Sequence, residues 1–224
     1  MHNPVVGTWV EGPRPWRYFI YDHDALYIEW TKSKSCELSQ KIAQLTTDLE
    51  TAVPIIDYAI GYHSCMIYFD PKSYGHDRLI NFFEAYHIVE SKKEIIPTLE
   101  VPISFGNGHA PDLSYVAESC DLDVEKVVEL FLSKEYTVHF MGFMPGFIYM
   151  GGLSDQLKLP RRATPRLKVP GGSVAIAAGQ TGIYPIEVPG GWHIIGRTEM
   201  RFFDVDKSPP SDIIAGTKVR FKAL

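Results

Sequence analysis

The sequence predicts an α+β chain in two parts: a small sheet-and-helix sandwich, then a closed or nearly closed β-barrel. Three observations predict it. Over the first ninety or so residues the apolar pattern alternates between strand and helix periods, in the order strand, strand, helix, strand, strand, helix. Beyond Tyr136 the texture changes to short alternating runs bounded by Gly or Pro. Between the two lies a short charged stretch, Glu90-Ser91-Lys92-Lys93-Glu94, which sets the expected domains at residues 1–93 and 94–224.

Residues 1–15 are rich in Gly and Pro and read as a loose arm. Residues 16–21 and 25–30 read as strands joined through the turn-prone triplet Asp22-His23-Asp24. Residues 37–49 carry Leu38, Ile42, Leu45 and Leu49 at helical spacing, with Ser35 as N-cap. A second strand pair, 54–60 and 64–69, turns at Gly61-Tyr62. Residues 77–86 form a second helix with Leu79, Ile80, Phe82, Phe83 and Tyr86 on its apolar face. The second part opens with an alternating strand at 98–105, whose Pro102 is tolerated at a sheet edge. Asp112 is placed to cap a helix over 113–120, and Asp123 one over 124–133. The barrel strands are then expected at 136–141, 173–178, 183–188, 192–195, 200–205 and 217–223. In the last of these Val219, Phe221 and Ala223 alternate with Lys218, Arg220 and Lys222. Closing such a sheet removes its exposed edges.

A chain of 224 residues, 45% hydrophobic and 22% charged, can bury a real core in either part. Net charge is −5, which argues against general nucleic-acid binding. No apolar run is long enough to span a bilayer, and the N-terminal Met1-His2-Asn3-Pro4-Val5 lacks a signal-peptide pattern, so a cytoplasmic protein is expected. Cys36, Cys65 and Cys120 are widely spaced and read as buried thiols in a reducing compartment. With no CxxC, HExxH or HxH spacing, no metal site is expected.

Glycine is concentrated between His139 and Thr198, which implies either a shaped loop surface or a barrel with many corners. Three long motifs lie there: GFMPGFIYMGGL at 142–153, LPRRATPRLKVPGGSVAIAAGQTGIYP at 159–185, and PGGWHIIGRT at 189–198. They resemble the family of the 5-oxoprolinase B subunit, to which KipI and the first allophanate-hydrolase-type subunit also belong. The segment Phe105–Leu113 resembles the family's glycine-rich element before a Pro-Asp-Leu helix start, with His109-Ala110 where a bulky residue and glycine are more usual. The resemblance implies a ferredoxin-like N-terminal domain and a cyclophilin-like C-terminal barrel. It implies a larger, barrel-containing C subunit and a separate A subunit as partners, which together open 5-oxoproline to glutamate with ATP. Through KipI it also allows inhibition of a sensor histidine kinase. Through the allophanate-hydrolase branch it allows a carboxyltransferase-like half-site of a biotin-dependent urea carboxylase.

Lactam opening is hard because the amide is stabilised by resonance. ATP overcomes this by phosphorylating the carbonyl oxygen, and a site for it needs donors for phosphate and for the substrate carboxylate. Lys158, Arg161, Arg162, Arg166 and Lys168 form a basic run with no acid between Asp155 and Glu187. Arg161 and Arg162 read equally as a solvated face. Arg166, Gln180, Arg197 and His193 are the expected catalytic residues, although a core or rim position also suits His193, as it does His139. Gly171-Gly172-Ser173 could bend into an anion-binding nest. Thr181 is expected to be displayed between glycines. Tyr184 is a site candidate that also reads as barrel core, and Trp192 reads as core. Phe143, Pro145 and Phe147 are expected on an exposed partner- or substrate-facing loop. No P-loop, kinase glycine loop, GxSxG elbow or Met-Lys-Met biotin signature is present. The expected site is therefore incomplete on its own and inactive alone, with ATP used by the assembled complex and no metal or biotin held by this chain.

Overall fold

The computed structural model describes residues 6–7, 9–11, 16–31, 36–86 and 98–224. The expected N-cap Ser35 and the charged stretch 90–94 lie outside the described residues, as does most of the N-terminal arm. The chain divides into two compact units, Met1–Glu94 and Ile95–Leu224.

The first unit runs β1 (Trp9–Glu11), β2 (Trp16–Asp22), β3 (Ala25–Trp30), α1 (Cys36–Ala52), β4 (Ile55–Ile60), β5 (Ser64–Phe69) and α2 (His76–Ala85). Its strands form one antiparallel sheet in the order β1-β2-β3-β5-β4. Period-two patterning puts Tyr18, Ile20, Leu26, Ile28, Cys65, Ile67 and Phe69 on one buried face. The apolar stripes of the helices supply Ile42, Leu45, Leu49, Leu79 and Phe83 to the same core. After β1 the order is ββαββα, whereas a ferredoxin-like chain runs βαββαβ. The hairpin β2–β3 places at the front a strand that a ferredoxin-like chain adds at its end. Burial pushes the Cys65 thiol up to about 12, so this cysteine is inert packing. Cys120 is half-buried, contrary to the expectation of buried thiols throughout, because α3 ends on the surface there.

The second unit runs β6 (Leu99–Ile103), α3 (Leu113–Ser119), α4 (Val124–Leu132), β7 (Tyr136–Met141), β8 (Ile148–Gly151), β9 (Arg166–Val169), β10 (Ser173–Ala177), β11 (Gln180–Ile183), β12 (Val188–Gly190), β13 (His193–Arg197) and β14 (Lys218–Ala223). Seven strands form one sheet in the order β13-β10-β11-β8-β7-β14-β6. Its two edges meet where Ser104 and Arg197 exchange backbone hydrogen bonds of 2.8 and 2.9 Å, so the sheet is a nearly closed barrel. Pro102 sits in edge strand β6, where its missing N–H is tolerated. The Asp123 carboxylate caps α4 by accepting from Lys126 N–H at 2.6 Å, as expected.

Two cores flank the barrel wall. Val174, Ile176, Ile183 and Ile195 point inward with Val138, Met150, Val219 and Phe221. Ala175, Ala177 and Ile194 point outward and are covered by Phe147, Val169, Tyr184 and Trp192. The ribbon β9–β12 supplies part of that cover. This second layer explains why all five residues of β10 are buried. The hairpin β10–β11 turns at Ala178 and Gly179, both with positive φ (49° and 77°), the primed-turn geometry that twisted strands favour.

Residues 200–205, expected as a strand, are not one. Asp204 organises a turn there: its N–H donates to Pro210 O at 2.8 Å, and its carboxylate accepts from Asp206 N–H at 3.2 Å. The strand expected at 183–188 ends at Ile183, and Tyr184 begins a turn leading to β12.

Candidate functional site

Asp112 is the centre of the most heavily hydrogen-bonded side-chain group described in the second unit. It precedes α3, yet it makes no side-chain cap bond to that helix, contrary to expectation. Its side chain is 4% exposed and its carboxylate accepts four hydrogen bonds. Arg166 Nη1 and Nη2 donate to Oδ2 and Oδ1, each at 2.7 Å. Arg162 Nη1 donates to Oδ1, and Ile194 N–H to Oδ2, again at 2.7 Å. Capping is overridden because a buried carboxylate gains more from two cations than from exposed helix N–H groups.

His193 stands next to Ile194 and is 2% exposed. Its Nε2 lies 2.9 Å from Pro160 O. A carbonyl only accepts, so Nε2 carries the hydrogen, and in a neutral imidazole Nδ1 is then the acceptor. Nδ1 is buried and has no hydrogen-bond partner among the described residues. Tyr115 stacks on the imidazole at 5.3 Å and 14° while remaining largely exposed. Arg166 and His193, both expected from sequence, are thus brought to one region by β9, β13 and the loop before β9.

The other two expected catalytic residues are elsewhere on the wall. Thr181, Ile176 and His193 lie in one cross-strand row, which places Thr181 about 10 Å from His193 at the usual strand spacing. Thr181 is fully buried, not displayed, because β11 lies between β10 and β8. Gln180 is half-buried beside the hairpin turn. Arg197 closes the barrel through its backbone, and its Nε lies 3.6 Å from exposed Glu199.

The Gly171-Gly172-Ser173 segment is a turn in which two of the three N–H groups are committed to backbone carbonyls. Gly172 N–H donates to Tyr184 O at 2.7 Å and Ser173 N–H to Pro170 O at 3.2 Å. Of the expected nest, only the Gly171 N–H is without a backbone acceptor among the described residues. The expected exposed loop also divides. Phe143 is 67% exposed and Pro145 is exposed, but Phe147 is 1% exposed. The Phe147 ring fills the space over Gly182, where an added Cβ would lie 2.6 Å from Cζ. It packs against Tyr184 at 4.8 Å and Trp192 at 5.6 Å.

Trp192 is core, as expected, and so is Tyr184, as its second reading had it. Burial pushes the Tyr184 hydroxyl upward, and the Trp192 backbone N–H partly offsets this by donating to it. Burial likewise raises Tyr149, with Arg161 working against it. His139 is the extra residue of a β-bulge between Val138 and Phe140, and burial lowers its pKa. Among the described residues no group of three His, Cys, Asp or Glu is placed to hold a metal. No helix among them is long and apolar enough to cross a membrane.

Sequence reasoning named Arg166 but missed its anchor. Asp112 lies 54 residues earlier, and its helix-start position hid its role. The available signal was the absence of acids between Asp155 and Glu187, which leaves Arg161, Arg162 and Arg166 with no carboxylate among their immediate sequence neighbours.

The chain carries a carboxyltransferase-type domain: residues 16–213 match the family described as carboxyltransferase domain, subdomain C and D. The chain is 36% identical to the 5-oxoprolinase B subunit of Escherichia coli O157:H7 over 209 residues, covering 92% of this chain and 94% of the relative. It belongs to the family of 5-oxoprolinase B subunits. Among solved structures it is similar to TTHA0988, with a TM-score of 0.77 and 29% identity over 89% of this chain. It spans only 40% of that longer protein. The Kluyveromyces lactis urea amidolyase shares the fold, with a TM-score of 0.75 at 18% identity, over 93% of this chain and 15% of that one.

Proposed function

We propose that this chain is the B component of a cytoplasmic, ATP-dependent enzyme that opens 5-oxoproline to glutamate, with its site completed by a larger C subunit and an A subunit. The observation that carries the reading is the 36% identity to a 5-oxoprolinase B subunit across nearly its whole length. The missing phosphate-binding motifs support a chain that does not act alone. ATP supplies the phosphoryl group that converts the lactam carbonyl oxygen into a leaving group. This chain's part is to hold and orient. Arg166 donates to the substrate while anchored on Asp112, and His193 presents an acceptor beside it. Arg197 and Gln180 serve from the neighbouring wall. Phe143 and Pro145, exposed on their loop, face the partner.

The test is reconstitution. The purified chain alone releases no glutamate from 5-oxoproline and ATP, and the chain with its C and A subunits does. Full activity from the single chain, or none from the complete set, overturns the reading.

A further inference from the structure

We propose that Arg162 and Arg166, held by Asp112, form a clamp for the carboxylate of the substrate, with Asp112 as its positioning residue. The inference rests on the functional reading above for the identity of the substrate. It rests on charge balance and hydrogen bonding for the site itself.

The charge balance is the first argument. One carboxylate faces two guanidinium groups, each of which is always charged. The group therefore keeps one positive charge in surplus. The side chains of Arg162 and Arg166 are only 29% and 24% exposed, so water screens that surplus weakly. No nearby sequence compensates: there is no acid between Asp155 and Glu187. Glu187 itself is paired with Lys168 at 3.2 Å, and Asp155 with Lys158. Arg161, on the same loop as Arg162, adds to the positive field.

The second argument is the unspent hydrogen-bonding capacity. Arg162 Nε is buried with no acceptor among the described residues. Arg166 uses one N–H from each terminal nitrogen on Asp112 and keeps its others. The bidentate pair from Arg166 fixes its guanidinium plane on Asp112, and one further bond tethers Arg162 to the same carboxylate, so a ligand meets donors that are already held in place. His193, adjacent in sequence to Ile194, leaves a buried Nδ1 acceptor with no described donor. A small molecule with an N–H close to its carboxylate answers both needs, and in 5-oxoproline the two groups share a carbon. A single surplus charge matches a monoanionic carboxylate better than a phosphoryl group of higher charge.

The test is equilibrium dialysis of labelled 5-oxoproline against the assembled enzyme without ATP. Wild-type complex binds, and Arg162→Gln weakens binding at least tenfold while the complex stays intact by gel filtration. Asp112→Asn does the same where it assembles; if it does not, Arg162→Gln carries the test. The uncharged carboxamide of 5-oxoproline fails to compete. Unchanged binding by Arg162→Gln, equal competition by the carboxamide, or no binding to wild type overturns the clamp. Inorganic phosphate displacing 5-oxoproline at lower concentration than unlabelled 5-oxoproline overturns the carboxylate assignment. Glutamate release from the same preparations with ATP separates the two ideas: binding without turnover sinks the functional reading and leaves the clamp standing.

Discussion

Two arginine–carboxylate groups in this protein use the same chemistry to different ends. In the first unit Arg17 donates to Glu29 Oε2 through Nε and Nη2, at 2.8 and 2.6 Å. His63 lies 3.3 Å from the other oxygen of Glu29, and the Arg17 guanidinium rests 4.0 Å from the centre of the Trp9 ring. The Arg17 and Glu29 side chains are 38% and 21% exposed, and their charges cancel. In the second unit Asp112 is sealed from water and its two arginines outnumber it. The first group is charge-balanced and its carboxylate is more open to water than Asp112, so the pair contributes little to stability. The second cannot lose Asp112 without leaving two poorly solvated guanidinium groups unpaired. Hydrogen-bond lengths do not distinguish the two groups; burial and charge balance do.

The largest way to break this contrast is through turnover. Arg166→Ala is expected to lower the activity of the assembled enzyme at least a hundredfold, whereas Arg17→Ala leaves it within about twofold. Equal effects, measured as glutamate release, would show that the unbalanced group has no special role. Next in size is the wall behind the site. Trp192→Ala is expected to cost about 3–5 kcal/mol in urea unfolding, because it empties the outer core shared with Phe147 and Tyr184. A near-neutral result would remove that layer as the support for β13. The direct comparison follows. Asp112→Ala is expected to cost about 3 kcal/mol, since it strands two partly buried guanidinium groups. Glu29→Ala, which removes one partner of a charge-balanced pair, is expected to cost less than about 1 kcal/mol. A reversed order in chemical denaturation would mean that burial does not separate the two groups.

The contrast also marks how far the sequence could be read. Periodic segments were legible because each carries its own evidence: Val127 and Phe131 bury one face of α4, and Val219 and Phe221 one face of β14. Arg166 was legible as a candidate from its motif. Asp112 was legible only as a helix start, because a pairing across fifty residues leaves no local periodic trace. Phe147 was misread for a related reason. The Met144-Pro145-Gly146 turn has the composition of an exposed loop, but the chain re-enters the sheet one residue after Phe147. The space it fills was visible only as a glycine, Gly182, in a strand that otherwise reads as buried. Residues 200–205 alternate well enough for a strand, but Asp204 satisfies backbone groups locally and competes with a ladder.

The smallest expected effect concerns pH and sharpens the role of burial. His139 sits at the bulge of β7 over Gly151, and burial holds its folded pKa below the ordinary 6.5. The folded state therefore binds fewer protons than the unfolded state as pH falls below about 6.5. His139 thus favours folding above that pH and loses this contribution as pH drops toward its lowered folded value. Stability measured by urea at pH 7.5 and pH 5 should fall more in wild type than in His139→Gln. An equal fall in both would show that protonating His139 costs the fold nothing, and that its burial does not create a titration-sensitive position in this barrel.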